Sequence, residues 1–277
     1  MRSIAGVLCL SAALVCVAPA MAAAGDNPFP LGKKSVPEAY RGDLQAPMGL
    51  SFAYSKMTDT VRISDFAVAL GGQPLPAGAV VVNTADHDTN TFMARFDTWV
   101  LPFVNVYGFA ATINGAAQNV PVTVNPIPGL PAIPVPPTIT LPFNGHLYGV
   151  GTTLAGGYKK FFASYDINRE WVTLSILSND TSAVAQSIRA GVRTHVKGNL
   201  MAFYLGGFHL RLGDGPLTGA GIFAAVPSAS FSLKVKPTDP WNTIVGANIG
   251  VSKQFTITVE AGLGTRKQFT IMPGVRF

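Results

Sequence analysis

From Met48 onward, apolar and polar side chains alternate with a period of two along much of the chain. The clearest run is 254–263. There Phe255, Ile257, Val259, Ala261 and Leu263 alternate with Gln254, Thr256, Thr258, Glu260 and Gly262. Such a run predicts a strand with one apolar and one polar face, since a helix repeats its apolar positions every three or four residues. Residues 242–251 set Val245, Ala247, Ile249 and Val251 against Gly246, Asn248 and Gly250. Residues 184–197 set Ile188, Ala190, Val192 and Val196 against Arg189, Arg193, His195 and Lys197. Residues 160–174 set Phe161, Ala163, Tyr165 and Ile167 against Ser164, Asp166, Asn168 and Glu170. The last ten residues repeat the pattern, with Phe269, Ile271, Val275 and Phe277 opposite Gln268, Thr270, Gly274 and Arg276.

The segments of this kind are 48–70, 91–100, 103–113, 144–156, 160–174, 184–197, 200–211, 241–251, 254–263 and 268–277. They predict an all-β fold, an antiparallel up-and-down barrel of ten strands. An even count puts both ends of the barrel on one side. With that count, the long segments 71–90, 114–143 and 212–240 all fall at one rim as irregular loops, and the short turns at the other. The alternation of 228–235 allows a further hairpin and twelve strands. The proline-rich stretch within 114–143 is expected to stay out of the sheet, because proline lacks the ladder donor.

Composition narrows the setting. Charged residues are 12% of the chain, aromatics 10%, and the mean hydropathy is +0.33. After the first residues, no stretch offers the roughly 18 continuous apolar residues of a membrane-spanning helix. A soluble β-protein with a large core fits these numbers. So does a closed barrel with its apolar face in lipid. Residues 1–22 have the form of a secretory signal peptide. Arg2 precedes an apolar core from Ile4 to Val17, and Ala20-Met-Ala22 offers the cleavage site. Residues 23–47 then form a polar tail and 48–277 the barrel. Cys9 and Cys16 both lie in the signal segment, so neither disulfide nor thiolate chemistry is expected in the exported chain. The net charge of +6 is scattered, which speaks against nucleic acid and fits phosphates of the surrounding lipid or lipopolysaccharide.

A strand ending in a bare aromatic carboxy-terminus resembles the closing strand of Gram-negative outer-membrane β-barrels. The resemblance implies an outer-membrane location, and it implies that Phe277, with Val275 before it, is read by the barrel-assembly machinery. Arg95-Phe-Asp-Thr-Trp-Val-Leu-Pro-Phe-Val-Asn-Val-Tyr-Gly108 and Thr153-Leu-Ala-Gly-Gly-Tyr-Lys-Lys-Phe-Phe162 are similar to blocks in an uncharacterised group of these proteins. That similarity implies fold and location, and brings neither an activity nor catalytic residues.

On the barrel reading, polar-face residues point into the lumen. The expected lumen charges are Arg95, Asp97, Asp166, Glu170, Arg189, Arg193, His195 and Glu260, together with Lys197, His209 and Arg211. A hairpin folding about Ser178-Asn-Asp-Thr181 would set Glu170 across from Arg189 and Asp166 across from Arg193, as a ladder of opposite charges. Asp86-His87-Asp88, expected in a loop, resembles the acid–histidine groupings of omptin proteases, but only as a tripeptide with no second acidic pair nearby. No Gly-x-Ser-x-Gly motif, metal-ligand spacing or phosphate cradle occurs, so no catalytic residue, metal or cofactor is expected. The reading this supports is a non-enzymatic barrel acting by small-solute passage or loop contacts. An outer-membrane enzyme and a soluble periplasmic β-protein are its rivals.

Overall fold

The structure, a computed structural model, describes residues 29–32, 34, 36, 44, 46–125, 138–220 and 229–277. The signal segment, most of the tail and the proline-rich stretch 126–137 lie outside the described residues. In chain order the strands are β1 (Met48–Leu70), β2 (Gln73–Pro74), β3 (Val80–Val81), β4 (Thr84–Leu101), β5 (Val104–Pro121), β6 (Thr123–Val124), β7 (Thr138–Tyr158), β8 (Phe161–Leu174), β9 (Thr181–Val196), β10 (Asn199–Leu212), β11 (Leu217–Ala220), β12 (Ala229–Pro237), β13 (Trp241–Gly250), β14 (Phe255–Leu263) and β15 (Lys267–Arg276).

Ten of these close a barrel in the order β1-β4-β5-β7-β8-β9-β10-β13-β14-β15. Every pairing is antiparallel, and the circle shuts where β15 meets β1, from Gly49 opposite Arg276 to Thr58 opposite Lys267. Closure leaves no unpaired edge in the ring. Phe277 and Met48 bond each other's backbones at 3.0 and 3.1 Å, which places the chain's end and the first strand at one rim with the short turns. We call this the terminal rim and the opposite one the loop rim.

The outward face of the closed ring is apolar. Leu263 is 62% exposed, Leu205 60%, Val150 57% and Ile188 56%, all at outward positions. Such a band suits lipid and not water, which is the arrangement of a membrane-spanning barrel. Aromatics flank it. Tyr158, Phe161 and Phe255 stand near the terminal rim. Tyr148 stacks on Trp171 at 5.4 Å toward the loop rim, and Tyr54 leans on Phe92 at 5.0 Å.

The barrel has ten strands, not twelve. The hairpin expected around 228–235 exists as β11–β12, but β12 joins β1 only beyond the end of β15, from Val61 opposite Pro237 to Leu70 opposite Ala229. It therefore heightens the wall without widening the ring. The three long segments are not wholly irregular either. β4 begins at Thr84, β5 runs to Pro121 and β7 begins at Thr138, so the walls rise well past the ends of β14 and β15. Pro142 sits in the ladder opposite Ala116, which the expectation for 114–143 excluded. It is tolerated there because β8 pairs with β7 only from Gly145 onward, leaving that stretch of β7 a single neighbour. On the loop rim, β3 pairs with β6, and Val68, Val80, Val82, Ala85, Val120 and Val122 form a buried apolar cluster.

Candidate functional site

The lumen on the terminal side is filled by polar side chains that bond across it. Arg276 on β15 donates to Asp97 on β4 at 2.8 Å, reaching over Gly49 of the intervening β1. A Cβ at Gly49 would meet Asp97 Oδ1 at 2.8 Å and Arg276 Nη1 at 2.9 Å, so glycine is what leaves room for the pair. Asn105 Nδ2 donates to Asp97 Oδ2 at 2.7 Å, and Arg95 Nη2 donates to Asn105 Oδ1 at 3.2 Å. The Arg95 guanidinium also lies 3.7 Å from the centre of the Tyr107 ring. Tyr107 Oη donates to Asp166 Oδ1 at 2.8 Å, and Thr153 Oγ1 donates to Asp166 Oδ2 at 2.6 Å.

A second group closes the other side. Arg189 on β9 donates from Nε to Glu260 Oε2 on β14 at 2.9 Å, and Tyr204 Oη donates to the same oxygen at 3.0 Å. Arg189 Nη1 reaches Ser187 Oγ at 2.5 Å. β9 and β14 are three strands apart in the ring, so this contact is a chord through the lumen. Gly151 lies under the Tyr107 ring and Gly246 under Tyr204; a side chain at either would collide with the ring. Asp97, Asn105, Tyr107, Tyr204 and Glu260 are all buried. Buried networks of this kind, complete here except at Arg95 Nε, hold side chains in one arrangement. Together the two groups make a polar septum.

The structure places the remaining expected lumen residues as follows. Arg193 is inward near the terminal rim, with Nε donating to the Lys159 carbonyl at 3.1 Å. His195 lies beyond it, opposite Leu200. Glu170 faces Ala183, not Arg189, and Asp166 faces Ser187, not Arg193. The expected charge ladder is thus incorrect. The turn between β8 and β9 forms earlier in the chain than Ser178-Asn-Asp-Thr181, with Leu177 N bonded to Leu174 O. The displacement is an even number of residues, so each side chain keeps its face while losing its partner. His209 and Arg211 are also corrected. Their ladder partners put them outward, where His209 packs on Trp241 at 4.8 Å and Arg211 bonds Asp214 at 2.9 Å. Asp86-His87-Asp88 lies on β4, not in a loop. Asp86 and Asp88 accept from Thr60 and Thr58, while His87 turns inward opposite Asp59. The groups needed for an omptin-like site therefore point to opposite sides of the wall. Among the described residues no cluster of three or more His, Asp or Glu is arranged to hold a metal ion. The proline-rich stretch, a candidate for loop contacts, lies outside the described residues.

On the loop side of the septum the lumen holds a cavity of about 450 Å³. Its deepest lining is Ser55, Met93, Phe109, Leu147, Glu170 and Gln268; higher walls include Ile63, Ile139, Val172, Leu210 and Val235. Sequence reasoning missed it, because the expected lumen residues are all charged, and Ile139 and Val235 fall in the segments 114–143 and 212–240 expected as loops. Its polar edge is the seam where β1 exchanges β15 for β12. There Arg266, fully buried, donates from Nε to Asp59 Oδ2 at 2.8 Å and lies 5.5 Å over the Phe208 ring. Asn242 fixes the turn that carries it, donating to Arg266 O at 2.7 Å and accepting from Gly264 N at 2.8 Å. The Arg266 Nη atoms meet no hydrogen-bond partner among the described residues. A separate groove of about 720 Å³, floored by Gly108 and Thr152 between Phe96 and Val150, opens on the outward face.

No protein-family model matches this chain, and no curated protein matches it. Solved structures do. The outer membrane protein OprG from Pseudomonas aeruginosa is similar at 13% identity and a TM-score of 0.45, over 84% of this chain and 98% of that one. The β domain of the Bordetella autotransporter BrkA is similar at 10% and 0.41, over 84% and 100%. An outer membrane channel from Pseudomonas putida F1 is similar at 10% and 0.34, over 85% and 98%. Likeness this distant carries no inference about activity, ligand or partner.

Proposed function

We propose that this chain is a non-enzymatic outer-membrane barrel that receives a small, mostly apolar molecule in the loop-side half of its lumen and does not conduct through the septum. The observation that carries the reading is the cavity of about 450 Å³ ending on a belt of mutually bonded charges. Concave, largely apolar sites with a few polar groups are the usual form of small-molecule sites. In this reading the loop rim is extracellular and the terminal rim periplasmic. Lipid and lipopolysaccharide surround the band, the signal segment is removed on export, and Phe277 with Val275 serves the assembly machinery. The outward apolar band supports the location.

Planar-bilayer recording of the purified barrel tests the septum, with little or no single-channel conductance expected. A steady open-pore conductance in the wild type would overturn the reading. Deleting Phe277 tests the assembly role. The truncated chain is expected to accumulate unfolded, and normal membrane levels of heat-modifiable barrel would count against that role.

A further inference from the structure

Glu170 differs from the other charged groups around the cavity. It faces inward from β8 and lines the cavity, with Gly149 across from it on β7 and Ala183 on β9. Neither neighbour has a side chain that can hydrogen-bond. Among the described residues no hydrogen bond or ion pair reaches its carboxyl. Asp59, by contrast, is paired with Arg266, and the two charges cancel. His87 stands opposite Asp59. Asp166, two inward positions before Glu170 with Asn168 between them, is bonded by both Tyr107 and Thr153. Among the described residues, Glu170 is therefore the carboxyl of the cavity that meets no donor. A desolvated carboxyl with no donor is costly, and donors supplied by a ligand recover that cost.

We infer that Glu170 is the polar anchor of the cavity and that the occupant is an apolar amine, a compact hydrocarbon body carrying one ammonium group. This rests on the cavity reading above. The body would lie against Leu147, Val172 and Phe208, with the ammonium at the Glu170 carboxyl, beside the Phe109 ring that covers Gly149. An apolar carboxylate is disfavoured at this position, because it brings no donor to the Glu170 carboxyl. The cation beside the cavity, Arg266, is already committed through Nε to Asp59. Its unpartnered Nη atoms define the rival, an apolar acid held at the seam.

Calorimetric titration of the barrel in zwitterionic nanodiscs, with empty discs subtracted, separates these outcomes. The probes are n-octylamine, n-octanol and octanoate at neutral pH. We expect octylamine to bind at least tenfold more tightly than octanol, and octanoate most weakly. Glu170→Gln should reduce octylamine to the level of octanol and leave octanol unchanged, whereas Glu170→Asp should retain a preference for the amine. If either variant fails to fold, as judged by heat-modifiable mobility, the wild-type ranking decides. Equal binding of amine and alcohol, or a preference that survives Glu170→Gln, overturns the anchor and leaves the cavity standing. Tightest binding by octanoate, lost in Arg266→Gln, overturns it in favour of the acid. Failure of all three probes to bind overturns the cavity reading itself.

Discussion

In the terminal half of the barrel the polar side chains point inward and the apolar ones outward, and in the loop half the same strands do the reverse. β1 carries the change within one strand. Phe52 and Tyr54 face out and Ser51 and Ser55 face in, but further along Val61 and Ile63 face in while Thr60, Arg62 and Ser64 face out. β10 repeats it, with Phe203 and Leu205 outward below and Phe208, Leu210 and Leu212 inward above. The geometry of the strand is continuous; the solvent outside it is not. Where lipid surrounds the wall, an outward basic residue costs roughly 2–4 kcal/mol at mid-depth, so charges collect inside. Where the wall has risen into water, ordinary apolar burial at roughly 25 cal/mol per Å² favours the inside for apolar groups. The two halves are thus held together by different forces, and they should respond differently to substitution.

The largest expected difference is at the septum. Glu260→Ala removes the partner of Arg189 and the acceptor of Tyr204 together. Leaving one member of a buried pair unmatched costs about 3–5 kcal/mol. Unfolding in urea followed by heat-modifiable mobility should show the loss. The double variant Arg189→Met with Glu260→Met should recover a large part of it. A single variant as stable as the wild type would mean that the septum does not hold the terminal half. Gly49→Ala probes the same half by crowding. Its methyl would intrude on the Asp97–Arg276 pair, and overpacking of this kind costs about 1–3 kcal/mol.

Substitution in the loop half should act on ligand uptake before stability. Ala183 lines the cavity and is buried. Ala183→Phe directs a ring at the cavity beside Glu170, so binding of a neutral apolar probe such as naphthalene should be lost, while stability falls by no more than the roughly 1–3 kcal/mol of overpacking. Retained binding would place the ligand elsewhere.

The ring was legible in the sequence because its signal is local. Each strand from β8 to β15 announces its faces through period-two alternation, and parity alone assigns the lumen. The loop half was misread for one reason. A polar residue was assigned to the lumen wherever it fell, which is correct only inside lipid. His209 and Arg211 follow Gly206-Gly207, just where β10 leaves the band and the rule inverts. The switch of apolar residues from even positions 50, 52 and 54 to odd positions 61 and 63 is visible in β1, and it marks the same boundary. Partner choice across the lumen was not legible. Arg189 meets Glu260, 71 residues later and three strands round the ring, a contact fixed by closure and not by local pattern.

Labelling offers a direct test of the inversion, with smaller energetic consequences. The chain carries no cysteine after Cys16. Cysteine at Arg62 should react on intact cells with an impermeant thiol reagent, and cysteine at Ile63, turned into the apolar interior, should react much more slowly. Cysteine at Pro216 on the loop rim should react, and cysteine at Ser252 in the β13–β14 turn should not. Equal reactivity at positions 62 and 63 would remove the inversion, and labelling at Ser252 alone would invert the topology.

The smallest expected effect lies at the top of β1, where the wall stands free in water. Asp65 interrupts the pairing of β1 with β12 between Ser64 and Ala67, and its side chain accepts from Lys234 Nζ at 2.8 Å. Its φ of 53° lies in the left-handed region, which asparagine and aspartate enter more readily than other residues with a Cβ. Two contributions can therefore be separated at one position. Asp65→Asn keeps the backbone preference and removes the charge, and an exposed ion pair of this kind contributes little. The unfolding midpoint should not move measurably. Asp65→Val removes the same charge and adds a β-branched side chain where φ is positive, a genuine conformational outlier. Its midpoint should fall below that of Asp65→Asn, with hydrogen exchange rising from residue 61 to 70 and the septum unaffected. Equal midpoints for the two variants would show that the bulge relaxes freely, and that the loop half draws its order from the apolar cluster of Val68, Val80 and Val120 rather than from the ladder between β1 and β12.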